Sequence, residues 1–254
     1  MGITIAVVNQ KGGVGKTTTA VNLTAALTEA GQKVLLCDFD PQANATSGLG
    51  VDKRRTKKSV YDVIIDDISP ADVVVRTKFG DVLPSGADLA GAAVELLSLP
   101  EPNFRLKNAL ETVKEDYDVI LIDCPPSLEL LTINALAAAD EILIPVQCEY
   151  YALEGLADLM TTMRLMKKRI NPDLDIFGVV LTMFDGRTNF STQVAQEVRR
   201  HFPGKVFANV IPRNVRLAEA PSHGLPITVY DRHSRGAHAY RAITEEFVKK
   251  LKKR

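Results

Sequence analysis

Ile3-Thr4-Ile5-Ala6-Val7-Val8-Asn9-Gln10-Lys11-Gly12-Gly13-Val14-Gly15-Lys16-Thr17-Thr18 begins as a β-branched apolar run, passes through a glycine-rich turn and enters a stretch with helical spacing, 17–30. A strand that feeds a helix through such a turn aims several backbone N–H groups and the positive end of the helix dipole at one point, where an anionic phosphate fits. Gly12, Gly13 and Gly15 let the backbone approach closely and take positive φ. Lys16 is placed to neutralise β- and γ-phosphate charge, and the Thr17 hydroxyl to ligate Mg²⁺. Val14 and Thr18 complete the phosphate-binding run. The P-loop pattern asks for glycine five residues before Gly15; Gln10 stands there, followed by an additional lysine, Lys11.

Outward from this stretch the chain alternates. Apolar runs of strand length recur at 3–8, 33–37, 119–122, 141–146 and 177–183, and stretches with helical spacing follow at 17–30, 128–138, 153–169 and 192–202. Continuous apolar runs predict strands buried on both faces, and strand–helix alternation predicts parallel βαβ units. The expected fold is α/β: a doubly wound, mostly parallel sheet with helices on both faces, its ligands at the carboxyl ends of the strands. Prolines at 100, 102, 125, 126, 172 and 221 punctuate connections rather than a linker, so residues 1–254 are expected to form a single domain.

Composition bounds the rest. The 254 residues carry 31 Lys+Arg against 31 Asp+Glu, with 46% hydrophobic and 6% aromatic residues, which excludes collagen-like, low-complexity and disordered classes. A chain of this length buries roughly 70–75% of its unfolded surface, enough for a large core without staples. Cys37, Cys124 and Cys148 are scattered, with no CxxC pair, which argues against a disulfide framework or zinc site and for a reducing compartment. The first residues lack the basic flank and apolar length of a signal peptide, and no apolar run is long enough to span a membrane. A cytoplasmic protein is expected. Zero net charge excludes a globally basic nucleic-acid binder but not a basic patch.

The run from Lys11 to Thr18 resembles the deviant Walker A motif of the partitioning ATPases, the ParA/Soj/MinD group. Val34-Leu35-Leu36-Cys37-Asp38-Phe39-Asp40-Pro41-Gln42-Ala43-Asn44 resembles the group's switch I, and Val119-Ile120-Leu121-Ile122-Asp123-Cys124-Pro125-Pro126 its Walker B and switch II. Three ordered motifs at matching spacing are specific, and the likeness, closest to the short ParA/Soj type, runs to about Gly236. It implies a P-loop fold and a slow ATPase using ATP and Mg²⁺. Asp123 would hold Mg²⁺ through a water, and Asp40 would be required for hydrolysis. Asp38 is either a supporting acid or a strand cap. Lys11, with Lys16, Asp40 and Asp123 in the catalytic set, would cross an ATP-bound homodimer to the partner subunit's phosphate. Pro212 and Asn214, in Ile211-Pro212-Arg213-Asn214, would flank adenine.

The same resemblance implies that the ATP-bound dimer binds double-stranded DNA non-specifically on the nucleoid and that a centromere-binding ParB-type protein stimulates hydrolysis. Arg187 and Arg216 stand in segments resembling those with the Soj-type DNA-binding arginines. Phosphate binding needs clustered cations rather than base readers, so Lys53, Arg54, Arg55, Lys57, Lys58 and the basic tail at 249–254 are either solvated surface or a further DNA face. No helix-turn-helix precedes the first strand, so operator recognition is not expected. A MinD-like membrane-associated positioning ATPase is the alternative. However, the tail from Glu246 onward has only three apolar residues for anchoring, and no membrane partner is expected. A nitrogenase-reductase-like protein would need cluster-bridging cysteines in another pattern.

Overall fold

The computed structural model describes residues 2–127, 129–149 and 152–253. Leu128, at the head of the expected 128–138 helix, and Arg254 of the basic tail lie outside the described residues. The chain runs β1 (Ile3–Val7), α1 (Lys16–Glu29), β2 (Val34–Asp38), α2 (Asn44–Gly48), α3 (Val60–Ile65), β3 (Asp81–Leu83), α4 (Ala92–Leu96), α5 (Arg105–Glu111) and β4 (Val119–Asp123). It continues with α6 (Leu130–Ala138), β5 (Glu141–Gln147), α7 (Ala152–Arg169), β6 (Asp175–Thr182), α8 (Asn189–His201), α9 (Val215–Glu219), α10 (Ile227–Tyr230) and α11 (Arg235–Leu251).

Every pairing in the six-stranded sheet is parallel, in the order β3-β2-β4-β1-β5-β6. β1, β2 and β4 are buried at every position, as apolar runs covered on both faces must be. Alternation of side chains along each strand then divides the core. Ile3, Ile5 and Val7, Val34 and Leu36, and Val119 and Leu121 face one side with Leu23 and Leu27 of α1 and Tyr240, Ile243 and Phe247 of α11. Ala6, Leu35, Cys37, Ile120 and Ile122 face the other, with Leu110 of α5, Leu136 of α6 and Leu159 and Met163 of α7. Continuing the same alternation, Asp38 and Asp123 fall on the α1 side. They lie opposite one another in register at the carboxyl edge of β2 and β4. The adjacent strands β1 and β4 send their crossovers to opposite faces, which opens a crevice at that edge.

Two elements differ from the sequence expectation. β3 is a three-residue edge strand that no apolar run announced. The carboxyl-terminal segment read as a basic tail is the end of the 17-residue helix α11, with Phe247 fully buried. Lys250 folds back to donate to the Phe177 carbonyl at 3.4 Å and sits over the Phe177 and Phe207 rings, so it belongs to the packing. Lys249, Lys252 and Lys253 remain exposed.

Candidate nucleotide site

The turn between β1 and α1 is built to receive an anion. Gly13 and Gly15 sit at φ 73° and 89°, left-handed conformations that a side chain would strain. Gly15 is the N-cap of α1 and provides no side-chain cap, whereas α3, α8, α9 and α11 are capped by Ser59, Thr188, Asn214 and Ser234. The first N–H groups of α1 are thus left without a side-chain acceptor. The loop itself is held rigidly: Asn9 donates its amide to the Pro145 carbonyl (2.8 Å) and accepts from the Lys11 N–H (3.0 Å). Thr182, at the end of β6, donates its hydroxyl to the Val14 carbonyl at 2.8 Å. Gly12 is exposed, with nothing within 4 Å of the position its Cβ would occupy.

Lys16 is buried and donates to the Lys11 carbonyl at 3.1 Å. Burial lowers its pKa, and the nearby Asp123, Cys124 and Asp40 offset this only in part. Asp123 is fully buried, and among the described residues neither carboxylate oxygen has a hydrogen-bond partner. Its pKa is pushed well up by burial first and then by Asp38; the Thr17 hydroxyl is near enough to oppose that rise without completing a hydrogen bond. Such an orphaned buried carboxylate is costly on its own and fits a site where a cation arrives. Asp38, Asp40 and Asp123 are close enough to raise one another's pKa or that of a shared neighbour. Among the described residues no three His, Cys, Asp or Glu side chains converge as a ready metal cage. Mg²⁺ takes one or two carboxylates and completes its shell with water and phosphate, and the buried Asp123 is a carboxylate of that kind.

Asp38 does different work. Its Oδ2 accepts from the Thr46 N–H and hydroxyl, both at 2.7 Å, and burial, opposed by these bonds, pushes its pKa up to about 6. Thr46 Oγ1 also accepts from the Ser85 N–H (3.0 Å), and the Ser85 hydroxyl donates to the Asp40 carbonyl (2.8 Å). Asp38 therefore fastens the switch I segment to β2, and Ala43, left-handed at φ 53°, turns the chain just beyond Asp40. Asp40 itself stays partly exposed, with Oδ1 accepting from the Gln42 N–H at 2.9 Å.

The remaining expected residues lie around this centre. Pro212 bridges to Phe184, just beyond the end of β6, which brings it beside the strand that holds Val14. Asn214 uses Oδ1 to cap α9, accepting from the Arg216 N–H at 2.8 Å. Lys11 pairs with Glu149 at 3.9 Å, and Glu149 also pairs with Arg213 at 3.3 Å. Arg187 grips Asp185 through two bonds of 2.9 and 2.7 Å, which hold the Asp185 pKa down to about 2. It lines a cleft of about 970 Å³ with Pro212, Arg213, Arg235 and His238, to which no residue of the glycine-rich turn contributes. Arg216 lies outside that cleft, bonded to Glu219 at 2.8 Å and near Asp231 at 3.6 Å. Asn9, Thr46, Thr182 and Glu149 are contributors that sequence reading missed, because each ties to at least one partner remote in the chain: Pro145, Ser85, Val14 and Lys11 respectively.

The parallel sheet, the glycine-rich turn and the carboxylates facing it define a P-loop nucleoside triphosphatase. A family model described as an AAA domain matches residues 2–176. The sporulation initiation inhibitor protein Soj of Bacillus subtilis (strain 168) is 57% identical over 248 residues, covering 97% of this chain and 98% of that protein. The chromosome-partitioning ATPase Soj of Thermus thermophilus is 50% identical over 248 residues, covering 97% of this chain and 96% of that protein. Among solved structures, cobyrinic acid a,c-diamide synthase from Mycobacterium smegmatis with bound ADP and magnesium aligns with a TM-score of 0.87 at 39% identity, covering 99% of this chain and 96% of that one. The chain belongs to the Soj/ParA family of chromosome-partitioning ATPases.

Proposed function

We propose that residues 1–254 act as one ATPase domain that works as a nucleotide-controlled DNA-partitioning switch. It binds ATP with Mg²⁺, pairs with a second copy around two sandwiched nucleotides, and in that state holds double-stranded DNA without sequence preference. Hydrolysis is slow until a ParB-type centromere-binding partner stimulates it, and it releases the DNA. The protein works in the cytoplasm, on the nucleoid. The observation that carries this reading is the uncompensated Asp123 carboxylate beside Lys16 and Thr17.

Thr17, Asp40 and, through a water, Asp123 would hold Mg²⁺, which when bound would supply charge neutralisation at the phosphates. Lys16 exchanges its hydrogen bond to the Lys11 carbonyl for the β- and γ-phosphates, a change of acceptor that keeps the buried ammonium satisfied. The N–H groups of residues 12–18 take the phosphate oxygens. Asp40, partly exposed, orients the attacking water. Lys11 reaches the partner's phosphate, and the openness around Gly12 lets two such loops meet. Pro212 packs on adenine, and Asn214, whose oxygen caps α9, offers its amide hydrogens. Arg187 and Arg216 reach DNA phosphates by exchanging one anion for another, with Arg213 and Arg235 reinforcing the first.

The MinD-like membrane reading is disfavoured by α11: Phe247 is buried, and the partly buried Val248 and Leu251 pack against the same core rather than forming an outward apolar face. No helix among the described residues is long and apolar enough to cross a membrane. The test is the ATPase rate of the protein alone, with DNA, and with DNA plus a ParB-type protein. A slow basal rate that rises with the full mixture is expected, and a rate indifferent to both additions contradicts the switch.

A further inference from the structure

Glu149 lies two residues beyond β5, where the loops after β1, β5 and β6 approach one another. Its carboxylate takes three partners from three segments: the Lys11 ammonium at 3.9 Å, the Arg213 guanidinium at 3.3 Å, and the Gln147 side-chain amide. Lys11 is about one-third exposed and Glu149 about half, so the pair is accessible and exchangeable rather than locked in the core. We propose that Glu149 is a positioning residue that holds Lys11 in cis, against its own subunit, and must release it before the lysine can cross to a partner's phosphate. This rests on the reading of Lys11 as a trans-acting lysine. A single ammonium cannot serve Glu149 and a phosphate across the interface at full strength, so dimerisation has to break two such pairs, one per subunit. Arg213 shares the carboxylate and weakens its grip on Lys11, which makes the hold adjustable.

The test measures the monomer–dimer constant by sedimentation equilibrium with a non-hydrolysable ATP analogue and Mg²⁺, at about 0.05 M and about 1 M salt, where the Debye length falls to about 3 Å. Glu149→Gln keeps an oxygen for the Gln147 amide while removing the charge. At low salt it should lower the dimer Kd about five-fold, two exposed ion pairs of ordinary strength no longer being broken per dimer. That gain should fade at high salt. Arg213→Ala, a surface change that leaves Lys11 as the main claimant of Glu149, should shift Kd the opposite way at low salt. A structural role for Glu149 would not give opposite, salt-sensitive shifts. An unchanged or raised Kd in Glu149→Gln overturns the cis hold. Lys11→Ala that dimerises like wild type overturns the trans-acting reading instead, so the two failures are distinguishable.

Discussion

Replacing Asp123 with asparagine should stabilise the nucleotide-free protein while abolishing its response to ATP·Mg²⁺. In the folded chain this carboxylate is fully buried, unbonded at both oxygens and flanked by Asp38 and Asp40, with only Lys16 and Thr17 in its favour. Desolvated polar groups without partners cost about 1–3 kcal/mol, and more when charged. Asparagine keeps the shape, carries no charge and can donate to the neighbouring acids. The expected gain is about 1–3 kcal/mol at pH 7, or about 2–12 °C in Tm for a chain of this size. The pH dependence has a definite sign. The folded pKa lies above the unfolded value of about 3.9, so between the two the folded chain holds a proton that the unfolded chain has released. Wild-type stability therefore falls as pH rises through that window, and the variant lacks this slope. Calorimetric unfolding of both proteins from pH 4 to 8, with and without ATP·Mg²⁺, reads all of this. An asparagine variant less stable than wild type at pH 7, or one still stabilised by ATP·Mg²⁺, would refute the reasoning.

Lys16→Ala should fold normally and lose nucleotide binding, since its ammonium bonds only a loop carbonyl; near-wild-type ATP affinity in titration calorimetry contradicts the phosphate site. Asp40→Ala should accumulate as an ATP-bound dimer and Gly12→Val should bind ATP as a monomer, both read by size-exclusion chromatography; a monomeric Asp40→Ala or a dimeric Gly12→Val opposes the switch model. Thr46→Val should cost about 2–4 kcal/mol in denaturant unfolding, because Asp38 and the Ser85 N–H both lose a buried partner; a loss below about 0.5 kcal/mol would show that Asp38 does not anchor switch I. Arg187→Ala and Arg216→Ala should each weaken ATP-dependent DNA binding and lower its salt slope by roughly one to two without changing dimerisation; an unaltered slope in the double variant moves the DNA surface to residues 53–58 or the end of α11.

The central strands were legible because burial on both faces demands an apolar residue at each position, and residues 119–122 satisfy that without interruption. β3, Asp81-Val82-Leu83, is too short to show any period and gains its place from β2 on one side and from a two-bond bridge between Val82 and Val75. The end of α11 reads as a charged tail in sequence, because its apolar positions are interleaved with polar and charged residues and become a face only when α1 supplies the surface to cover. At the site, glycines and carboxylates announce themselves locally, whereas Thr182 holds Val14 and Asn9 holds Pro145 across more than a hundred residues. Asp38 shows the same limit: its residue type is consistent with a supporting acid or a strand cap, and its anchoring of the following segment is visible only once folding brings the Thr46 N–H and hydroxyl to its carboxylate.

The most direct measurement is filter binding of the Asp40→Ala protein to two unrelated DNA duplexes of equal length, with ATP·Mg²⁺ and then with ADP·Mg²⁺. Equal affinity for both duplexes with ATP, and loss of binding with ADP, is the expected result. Binding that persists undiminished with ADP, or that prefers one duplex, would contradict a nucleotide-gated, sequence-independent grip on DNA.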